Sequence, residues 1–188
     1  MRFAASPDTD LRTFRELVND QEEYVRAALA ENDNCPVELL QQLAHDESED
    51  VRNAVVQNPN TTHEMLIELS SDPSWSVRMN VASIEGIPSS ILSKLSKDSD
   101  GGVRAAVASN VDTPVSCLSK LAHDSYEWAR MGVAQNPSTP ASVLRSLSHD
   151  SSDQVRIRLA QNRNTPYDVI KVLRQDPSEA VQYYADIR

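Results

Sequence analysis

Apolar residues recur along this chain in two short stripes that return every 26 residues. One copy of the first stripe contains Leu39, Leu40 and Leu43, and one copy of the second contains Val51, Ala54 and Val55. Spacings of three and four positions place such residues on one face of an α-helix. Each copy therefore predicts two amphipathic helices, which are too short to be stable alone and must bury their apolar faces against neighbouring copies.

The dipeptide Val-Arg marks the period, and it recurs at 25–26, 51–52, 77–78, 103–104 and 155–156 without an insertion. An internal period of roughly 20 to 50 residues is the signature of a repeat protein. The chain is therefore predicted to be all-α, a single repeat domain over residues 1–188 in which seven two-helix units stack as a solenoid. The units are residues 7–32, 33–58, 59–84, 85–110, 111–136, 137–162 and 163–188.

Capping residues predict where the two helices of each unit begin and end. Thr-Pro, as at Thr113 and Pro114, predicts a threonine N-cap with proline at the first position of the first helix. An aspartate recurs in every unit, as at Asp46, and predicts the N-cap of the second helix. Asparagine, as at Asn58, predicts the end of that helix, because asparagine tolerates the left-handed conformation that closes many helices.

The segment Asn136-Pro137-Ser138-Thr139-Pro140 joins two units in the consensus pattern. Together with the repeated leucines and Val-Arg, it resembles the bacterial leucine-rich repeat variant family, from Thr9 onward. The resemblance implies a right-handed superhelix of alternating α- and 3₁₀-helices without strands, so the first helix of each unit is expected to be partly 3₁₀. The Asp-to-Arg spacing of six residues is also similar to that of HEAT repeats, in which the pair ties neighbouring units together.

A founding member of that family binds an iron–sulfur centre through an N-terminal cysteine cluster. This chain has two cysteines, Cys35 and Cys117, which are 82 residues apart, so no such cofactor is expected. Cys117 belongs to an apolar stripe and is expected to be a small core residue. His45, His123 and His149 share one position beside the recurring aspartate, but no further ligand type accompanies them, so no metal site is expected.

The negative charge of the chain lies in its first half. Residues 1–84 hold 6 Lys/Arg and 16 Asp/Glu, whereas residues 85–188 hold 12 of each, and the net charge of the whole chain is −10. A phosphate backbone requires cationic neutralisation, so nucleic acid is not expected as a partner and a basic partner is favoured. There is no apolar run of membrane length and no signal-peptide pattern, so a cytoplasmic location without membrane contact is expected.

One column of arginines follows the repeated valine, and each arginine stands six residues after the recurring aspartate. This pairing favours a ladder of hydrogen bonds and ion pairs between units over the alternative, an anion-binding stripe. The predicted ladder comprises Asp20, Arg26, Asp46, Arg52, Asp72, Arg78, Asp98, Arg104, Asp124, Arg130, Asp150 and Arg156.

The outward side of the second helices is the candidate binding surface. It lies opposite the core valines on a helical wheel, and it carries apolar residues rimmed by acids, a composition that suits a basic amphipathic segment. The alternative is that superhelical curvature packs these residues against one another as a second core, and the pattern leaves both open. The candidate residues are Glu49, Asn53, Trp75, Met79, Glu127, Met131, Asp153 and Ile157.

These features predict a non-enzymatic scaffold that binds a protein or peptide partner. No set of nucleophile, base and orienting residue and no phosphate-binding glycine loop is found, so no catalytic residue is assigned. The alternative is a HEAT-like enzyme or accessory factor such as a chromophore lyase, which charge does not exclude. A polar cap is usual in a last repeat, but here it contains Tyr183, Tyr184 and Ile187. These residues fit either self-association through the C-terminal repeat or the exposed end of a longer array.

Overall fold

The computed structural model of the chain describes residues 10–187, and within that range it contains helices and no strand. This confirms the predicted all-α fold class. The helices are α1 (Leu11–Leu17), α2 (Glu23–Ala30), α3 (Val37–Leu43), α4 (Glu49–Gln57), α5 (His63–Leu69), α6 (Trp75–Ser83), α7 (Ser89–Leu95), α8 (Gly101–Ser109), α9 (Val115–Leu121), α10 (Glu127–Gln135), α11 (Ala141–Ser146), a 3₁₀-helix (Leu147–His149), α12 (Asp153–Gln161), α13 (Tyr167–Leu173) and α14 (Glu179–Asp186).

Two α-helices form in each predicted repeat, so the odd-numbered helices are the first helices and the even-numbered helices are the second helices. The contacts within the chain divide it into two compact units, each made of several 26-residue repeats. The first unit extends to Val81 and the second unit begins at Ala82; from here on, "unit" means one of these two parts and "repeat" means a 26-residue copy. The division lies inside α6, in the one repeat that has isoleucine, Ile84, where an asparagine follows the second helix in other repeats.

The predicted apolar stripes form the core of each unit. In the first unit, Leu40 and Leu43 of α3 and Val51 and Val55 of α4 are buried. The second helices contact one another directly, α2 with α4 in the first unit, and α8 with α10, α10 with α12 and α12 with α14 in the second. Within each unit the second helices therefore form a row, and the candidate residues lie along that row.

The first helices begin one residue later than predicted. Helix α9 begins at Val115, and Pro114 rather than Thr113 is its N-cap residue. The hydroxyl of Thr113 instead donates to the carbonyl oxygen of Val107 at 2.5 Å, and the same bond recurs in the next two repeats. The predicted threonine N-cap is wrong at these positions, because the hydroxyl serves the last turn of the preceding second helix.

The predicted aspartate N-cap of the second helices is also wrong. Helix α4 begins at Glu49 with Ser48 as its N-cap residue, and Asp46 lies two positions earlier. The Asp46 carboxylate accepts from the N–H of Ser48 at 2.9 Å, so it closes a turn ahead of the helix instead of capping the first helical turn. In this position the carboxylate is also accessible to an arginine from another repeat.

The ends of the helices differ from the expected pattern in two respects. Asn58 follows α4 with φ −72° and ψ 131°, an extended conformation, and among residues 10–187 only Gly86, with φ 74°, has a positive φ. The predicted left-handed closure by asparagine is therefore wrong. The 3₁₀ conformation expected in every first helix occurs in the described residues only at Leu147–His149, after α11.

Candidate functional site

The recurring arginine of the second helices bridges two repeats. Arg26 donates from Nε and Nη2 to the carboxylate oxygens of Asp46, at 2.6 and 2.8 Å, and from Nη1 to the backbone carbonyl oxygen of Asp20 at 2.7 Å. The carboxylate therefore comes from the following repeat, and the aspartate six residues earlier contributes its backbone. Equivalent ion pairs join Arg52 to Asp72, Arg104 to Asp124, Arg130 to Asp150 and Arg156 to Asp176.

Two further members of the predicted ladder make local bonds of the same kind. Arg78 donates from Nη1 to the carbonyl oxygen of Asp72 at 2.8 Å. The carboxylate of Asp98 accepts from the N–H of Asp100 at 2.9 Å. The turn ahead of the second helix is thus built in the same way in these repeats.

The ladder holds charges that are nearly buried, since the side chains of Arg26 and Asp46 are 9% and 8% exposed. The hydrogen bond from Arg104 lowers the pKa of the Asp124 carboxyl, although burial opposes this effect. The same bond raises the pKa of Arg104. Bidentate, charge-assisted bonds offset the cost of taking both charges out of water. A guanidinium engaged in this way is not available to an external anion.

Buried asparagines form a second ladder between repeats, which the sequence pattern does not predict. The Nδ2 of Asn136 donates to the carbonyl oxygens of Ala108 and Asn110, both at 2.8 Å, and its Oδ1 accepts from the N–H of Ser138 at 2.8 Å. These bonds occupy both amide hydrogens, so the asparagine serves the backbone of the preceding repeat. The same two donor bonds are made by Asn58, Asn110 and Asn162.

Shallow pockets lie beside the arginine ladder, at the turns before the second helices. One is lined by His45 and Glu68 together with ladder residues, and His45 Nε2 lies 3.3 Å from Glu68 Oε1. Among residues 10–187 no group of three or more His, Cys, Asp or Glu is placed to hold a metal ion. Cys35 and Cys117 are both buried, and burial raises the pKa of the Cys35 thiol to about 11.

The candidate residues of the first unit include two exposed side chains on adjacent second helices. Trp75, at the start of α6, is 52% exposed, and Glu49, at the start of α4, is exposed as well. Asn53 is half-buried and donates to Ser76 Oγ at 3.2 Å, while its Oδ1 accepts from Asn80 Nδ2 at 2.8 Å. These bonds tie α4 to α6, so Trp75 and Glu49 project from helices that are held side by side.

The methionine and isoleucine candidates are less accessible than Trp75. Met131 and Ile157 of the second unit are only 7% and 9% exposed, and Met79 of the first unit is half-buried. Helix α10 approaches α8 closely at Gly132, where a Cβ would lie 2.9 Å from the Cβ of Ala108. The burial of Met131 and Ile157 agrees with the second-core alternative at these two positions.

The starts of the second helices touch one another in the second unit. Glu127 is half-buried, and its carboxylate accepts a hydrogen bond from Ser152 Oγ. The ring of Tyr126 packs over Gly101, where a Cβ would lie 2.7 Å from the ring. Asp153, the remaining acidic candidate, is exposed. The first turns of the second helices therefore form a continuous rim in this unit.

Exposed aromatic side chains are the feature that the repeat pattern hides. Within the described residues, Phe14 is the one aromatic side chain in the core. Five aromatics on or directly before the second helices are instead 40% to 61% exposed, Tyr184 of α14 is half-buried, and Tyr24, Tyr126 and Trp128 are not among the predicted candidates. The available signal was their absence from the apolar stripes of a chain with only 5% aromatic residues. The five exposed aromatics on or directly before second helices are Tyr24, Trp75, Tyr126, Trp128 and Tyr183.

Exposed acids accompany the aromatics of the first unit. Glu22 and Glu23 lie at the start of α2, and Glu49 and Asp50 lie at the start of α4. Each of α2, α4 and α6 contains a single cationic residue, which is the arginine of the ladder. The guanidinium groups of Arg26 and Arg52 are paired with the carboxylates of Asp46 and Asp72, so the acids at the starts of α2 and α4 give this surface an excess of negative charge.

Comparison with known proteins bears on the family and the fold. The model of the leucine rich repeat variant family matches residues 25–48 and 101–125. A solved leucine-rich repeat variant, described as having a novel repetitive structural motif, matches with a TM-score of 0.73 and 26% sequence identity, over 94% of this chain and 70% of that chain. These findings confirm the resemblance predicted from the repeat consensus. No curated protein matches the chain significantly.

Two designed armadillo repeat proteins show weaker structural similarity. One has a TM-score of 0.43 and 18% identity, over 94% of this chain and 97% of that chain. The other, designed for modular peptide recognition, has a TM-score of 0.28 and 16% identity, over 94% and 79% of the two chains. Among the described residues, no helix is both long and apolar enough to cross a membrane.

Proposed function

Starting from the match to the leucine-rich repeat variant family, we propose that this protein is a non-enzymatic binding scaffold whose α2, α4 and α6 bind a basic segment of a partner protein. One observation carries the proposal. Tyr24 of α2 and Trp75 of α6 are about half exposed, at 49% and 52%, and α4 between them presents the exposed carboxylates of Glu49 and Asp50.

The exposed aromatic rings support binding because such rings contribute most at protein interfaces. Tyrosine and tryptophan bury a large area at a low cost in side-chain entropy, and they dominate the residues whose truncation weakens a complex. In this chain the core uses leucine, valine and alanine, so Tyr24 and Trp75 are not required to fill it. Their position on one row of helices suits a shared ligand better than scattered exposure would.

The charge of the same surface supports a basic ligand. The acids at the starts of α2 and α4 create a negative potential that attracts a cationic segment and orients its approach. A lysine or arginine side chain placed at Glu49 and Asp50 would form an ion pair there, while apolar side chains on either side of it contact Tyr24 and Trp75. Asn53 supports this geometry indirectly, because its bonds to Ser76 and Asn80 hold α4 against α6.

The spacing of the helices defines the ligand further. Packed helices lie about 8–10 Å apart, and an extended chain advances about 3.3 Å per residue. A ligand that crosses the row therefore advances about three residues from one helix to the next. We expect a lysine or arginine over α4, with apolar side chains about three positions before and after it over Tyr24 and Trp75.

Binding of a short synthetic peptide tests the proposal. The probe has a central lysine, a leucine about three positions away on each side and serine elsewhere, and the matched control peptide has glutamate in place of lysine. Calorimetry should detect the lysine peptide and not the glutamate peptide. Replacing Trp75 by alanine should weaken binding at least tenfold, a typical effect of removing a buried tryptophan from an interface.

The control variant is Ile67→Ala, because Ile67 is also 52% exposed but lies on the first helix α5. It should leave the affinity unchanged. The combined change Trp75→Ala and Met79→Ala should preserve the helical circular dichroism signal while abolishing binding at the surface of α2, α4 and α6. The proposal is wrong if neither the lysine peptide nor a library of its sequence variants binds with a dissociation constant below about 1 mM. It is also wrong if Trp75→Ala and Ile67→Ala have the same affinity for the peptide.

A further inference from the structure

We infer that the second unit carries an independent second docking surface for the same kind of basic segment, formed by α10, α12 and α14. This inference rests on the proposed function, since it assigns the same ligand class to another part of the chain. Trp128 of α10 is 60% exposed and Tyr183 of α14 is 61% exposed. Asp153, at the start of α12 between them, is exposed too. The order of aromatic, acid and aromatic over three consecutive second helices therefore occurs in both units.

The three helices form one surface because they pack in sequence. Helix α10 contacts α12, and α12 contacts α14. The first turns of α10 and α12 are joined by the hydrogen bond between Ser152 Oγ and the Glu127 carboxylate. At the far side, Tyr183 makes an edge-to-face contact with Tyr184, whose ring centroid lies 5.3 Å away. Trp128 and Tyr183, the two rings that would flank the ligand, therefore stand on helices that are packed together through α12.

Burial of the apolar column leaves Trp128 and Tyr183 as the apolar contacts of this surface. Because Met131 and Ile157 are 7% and 9% exposed, they are not available to a ligand. Tyr183 holds in α14 the repeat position of Met131 and Ile157 but is exposed. Trp128 precedes Met131 by three positions, a spacing that places residues on the same face of a helix.

Charge selects a cationic ligand here as well, though less strongly than in the first unit. Glu127, Asp153 and Glu179 begin α10, α12 and α14, and the ladder arginines of α10 and α12 are paired with Asp150 and Asp176. One further cation, Arg158 of α12, is half-buried and donates to Gln161 Oε1 at 3.4 Å. Its positive charge opposes a lysine nearby, so we expect this surface to bind the basic peptide more weakly than the first.

Tryptophan fluorescence separates the two surfaces, because the chain has two tryptophans and each surface contains one. In Trp75→Phe, the emission of Trp128 reports on the second unit alone, and in Trp128→Phe the emission of Trp75 reports on the first. The probe is the lysine peptide used for the first surface, which contains no aromatic residue. Each single-tryptophan variant should show a saturable change with the lysine peptide and none with its glutamate control. Calorimetry on the unchanged chain should give two peptides per chain.

Asp153→Asn tests whether the second signal arises at the inferred surface. In the Trp75→Phe background, Asp153→Asn should raise the dissociation constant measured through Trp128 at least threefold, as expected for the loss of one ion pair at the edge of an interface. Glu85→Gln, which removes an exposed charge in the turn between α6 and α7, is the matched control and should have no effect.

The outcomes distinguish this inference from the proposed function. If Trp75 responds to the peptide and Trp128 does not, the second surface does not exist and the first stands. If Trp128 responds but Asp153→Asn and Glu85→Gln are indistinguishable, the peptide binds elsewhere in the second unit and the inference is wrong. If neither tryptophan responds, the proposed function fails together with the inference.

Discussion

Arg52 donates to Asp72 through both Nε, at 2.6 Å from Oδ2, and Nη2, at 3.0 Å from Oδ1, across twenty positions of the chain. The two side chains are 11% and 4% exposed. The third donor position, Nη1, reaches back to the carbonyl oxygen of Asp46 at 2.7 Å. One guanidinium group thus fixes its own turn and the turn of the following repeat, which makes the contact between repeats specific in register.

Removal of Arg52 should destabilise the protein strongly. Arg52→Ala leaves the Asp72 carboxylate nearly buried without its counter-charge, and the loss of one partner of a buried pair costs about 3–5 kcal/mol. Urea unfolding followed by circular dichroism measures the change. The matched control is Arg12→Ala, because Arg12 and its partner Glu16 are 88% and 63% exposed and such pairs contribute at most about 1 kcal/mol. Equal unfolding midpoints for the two variants would contradict the role assigned to Arg52.

Replacement of Asn136 should be costly for a different reason. Asn136→Ala removes the side-chain donor of the carbonyl oxygens of Ala108 and Asn110. The Asn110 oxygen keeps the N–H of Thr113, whereas loss of the donor to Ala108 costs about 1–3 kcal/mol. Asn164 also donates to a carbonyl oxygen of the preceding repeat, at Pro137, but in an exposed position. Asn164→Ala should therefore change the free energy of unfolding by less than about 1 kcal/mol. A larger effect at Asn164 than at Asn136 would show that burial does not decide the contribution.

The free energy of unfolding should decrease in acid. The pKa values of the Asp124, Asp150 and Asp176 carboxyls are lowered in the folded protein, and hydrogen bonds from ladder arginines contribute to this in each case, against the effect of burial. A lowered folded pKa means that the unfolded chain binds more protons, so stability is present above the ordinary aspartate pKa of about 3.9 and is lost as the pH falls through the folded values.

Urea titrations between neutral pH and about pH 2.5 should therefore show a midpoint that falls most steeply below about pH 4. In Asp124→Asn one of these groups cannot titrate, so the variant should start from a lower stability at neutral pH and lose less on acidification. A midpoint that is constant or rises between about pH 5 and pH 3 would contradict this account of the ladder.

Gly132→Ala should destabilise the protein, although alanine is normally the better residue in a helix by about 1 kcal/mol. The added Cβ would lie 2.9 Å from both the Ala108 Cβ and the Ser109 Oγ, so α10 would have to move away from α8. Overpacking of this kind typically costs about 1–3 kcal/mol. Thermal unfolding measures the result, and a higher melting temperature for Gly132→Ala would show that the helices can separate at no cost.

Repeat periodicity was sufficient to predict the helix pairs, because the spacing of Leu40, Leu43, Val51 and Val55 follows the geometry of single helices. It was not sufficient to place the helix ends. Thr113 and the recurring aspartates have the composition of N-caps, but the threonine hydroxyl bonds to the preceding helix and the aspartate carboxylate bonds to an arginine of the preceding repeat. Local capping preferences do not reveal either bond, since each partner lies outside the helix that follows.

The candidate site shows the same limit. Trp75 and Glu49 were predicted as accessible and lie exposed on adjacent helices, whereas Met131 and Ile157 were predicted on the same grounds and are buried. A helical wheel places all four residues on the outward side, with Glu49 and Trp75 in one repeat column and Met131 and Ile157 in the next. Glu49 and Trp75 stand in the first turn of their helices, whereas Met131 and Ile157 lie one turn further on. How far that second turn is covered depends on the stacking of neighbouring helices, which a helical wheel does not contain.

The 26-residue pattern thus contained the all-α class, the two helices of each repeat and the faces that they bury, because these follow from spacings of three and four residues within one helix. The partner of each arginine, the asparagine ladder and the choice between exposed and covered columns depend on contacts between repeats. Those contacts join residues twenty or more positions apart, and no local spacing determines how closely two repeats stack.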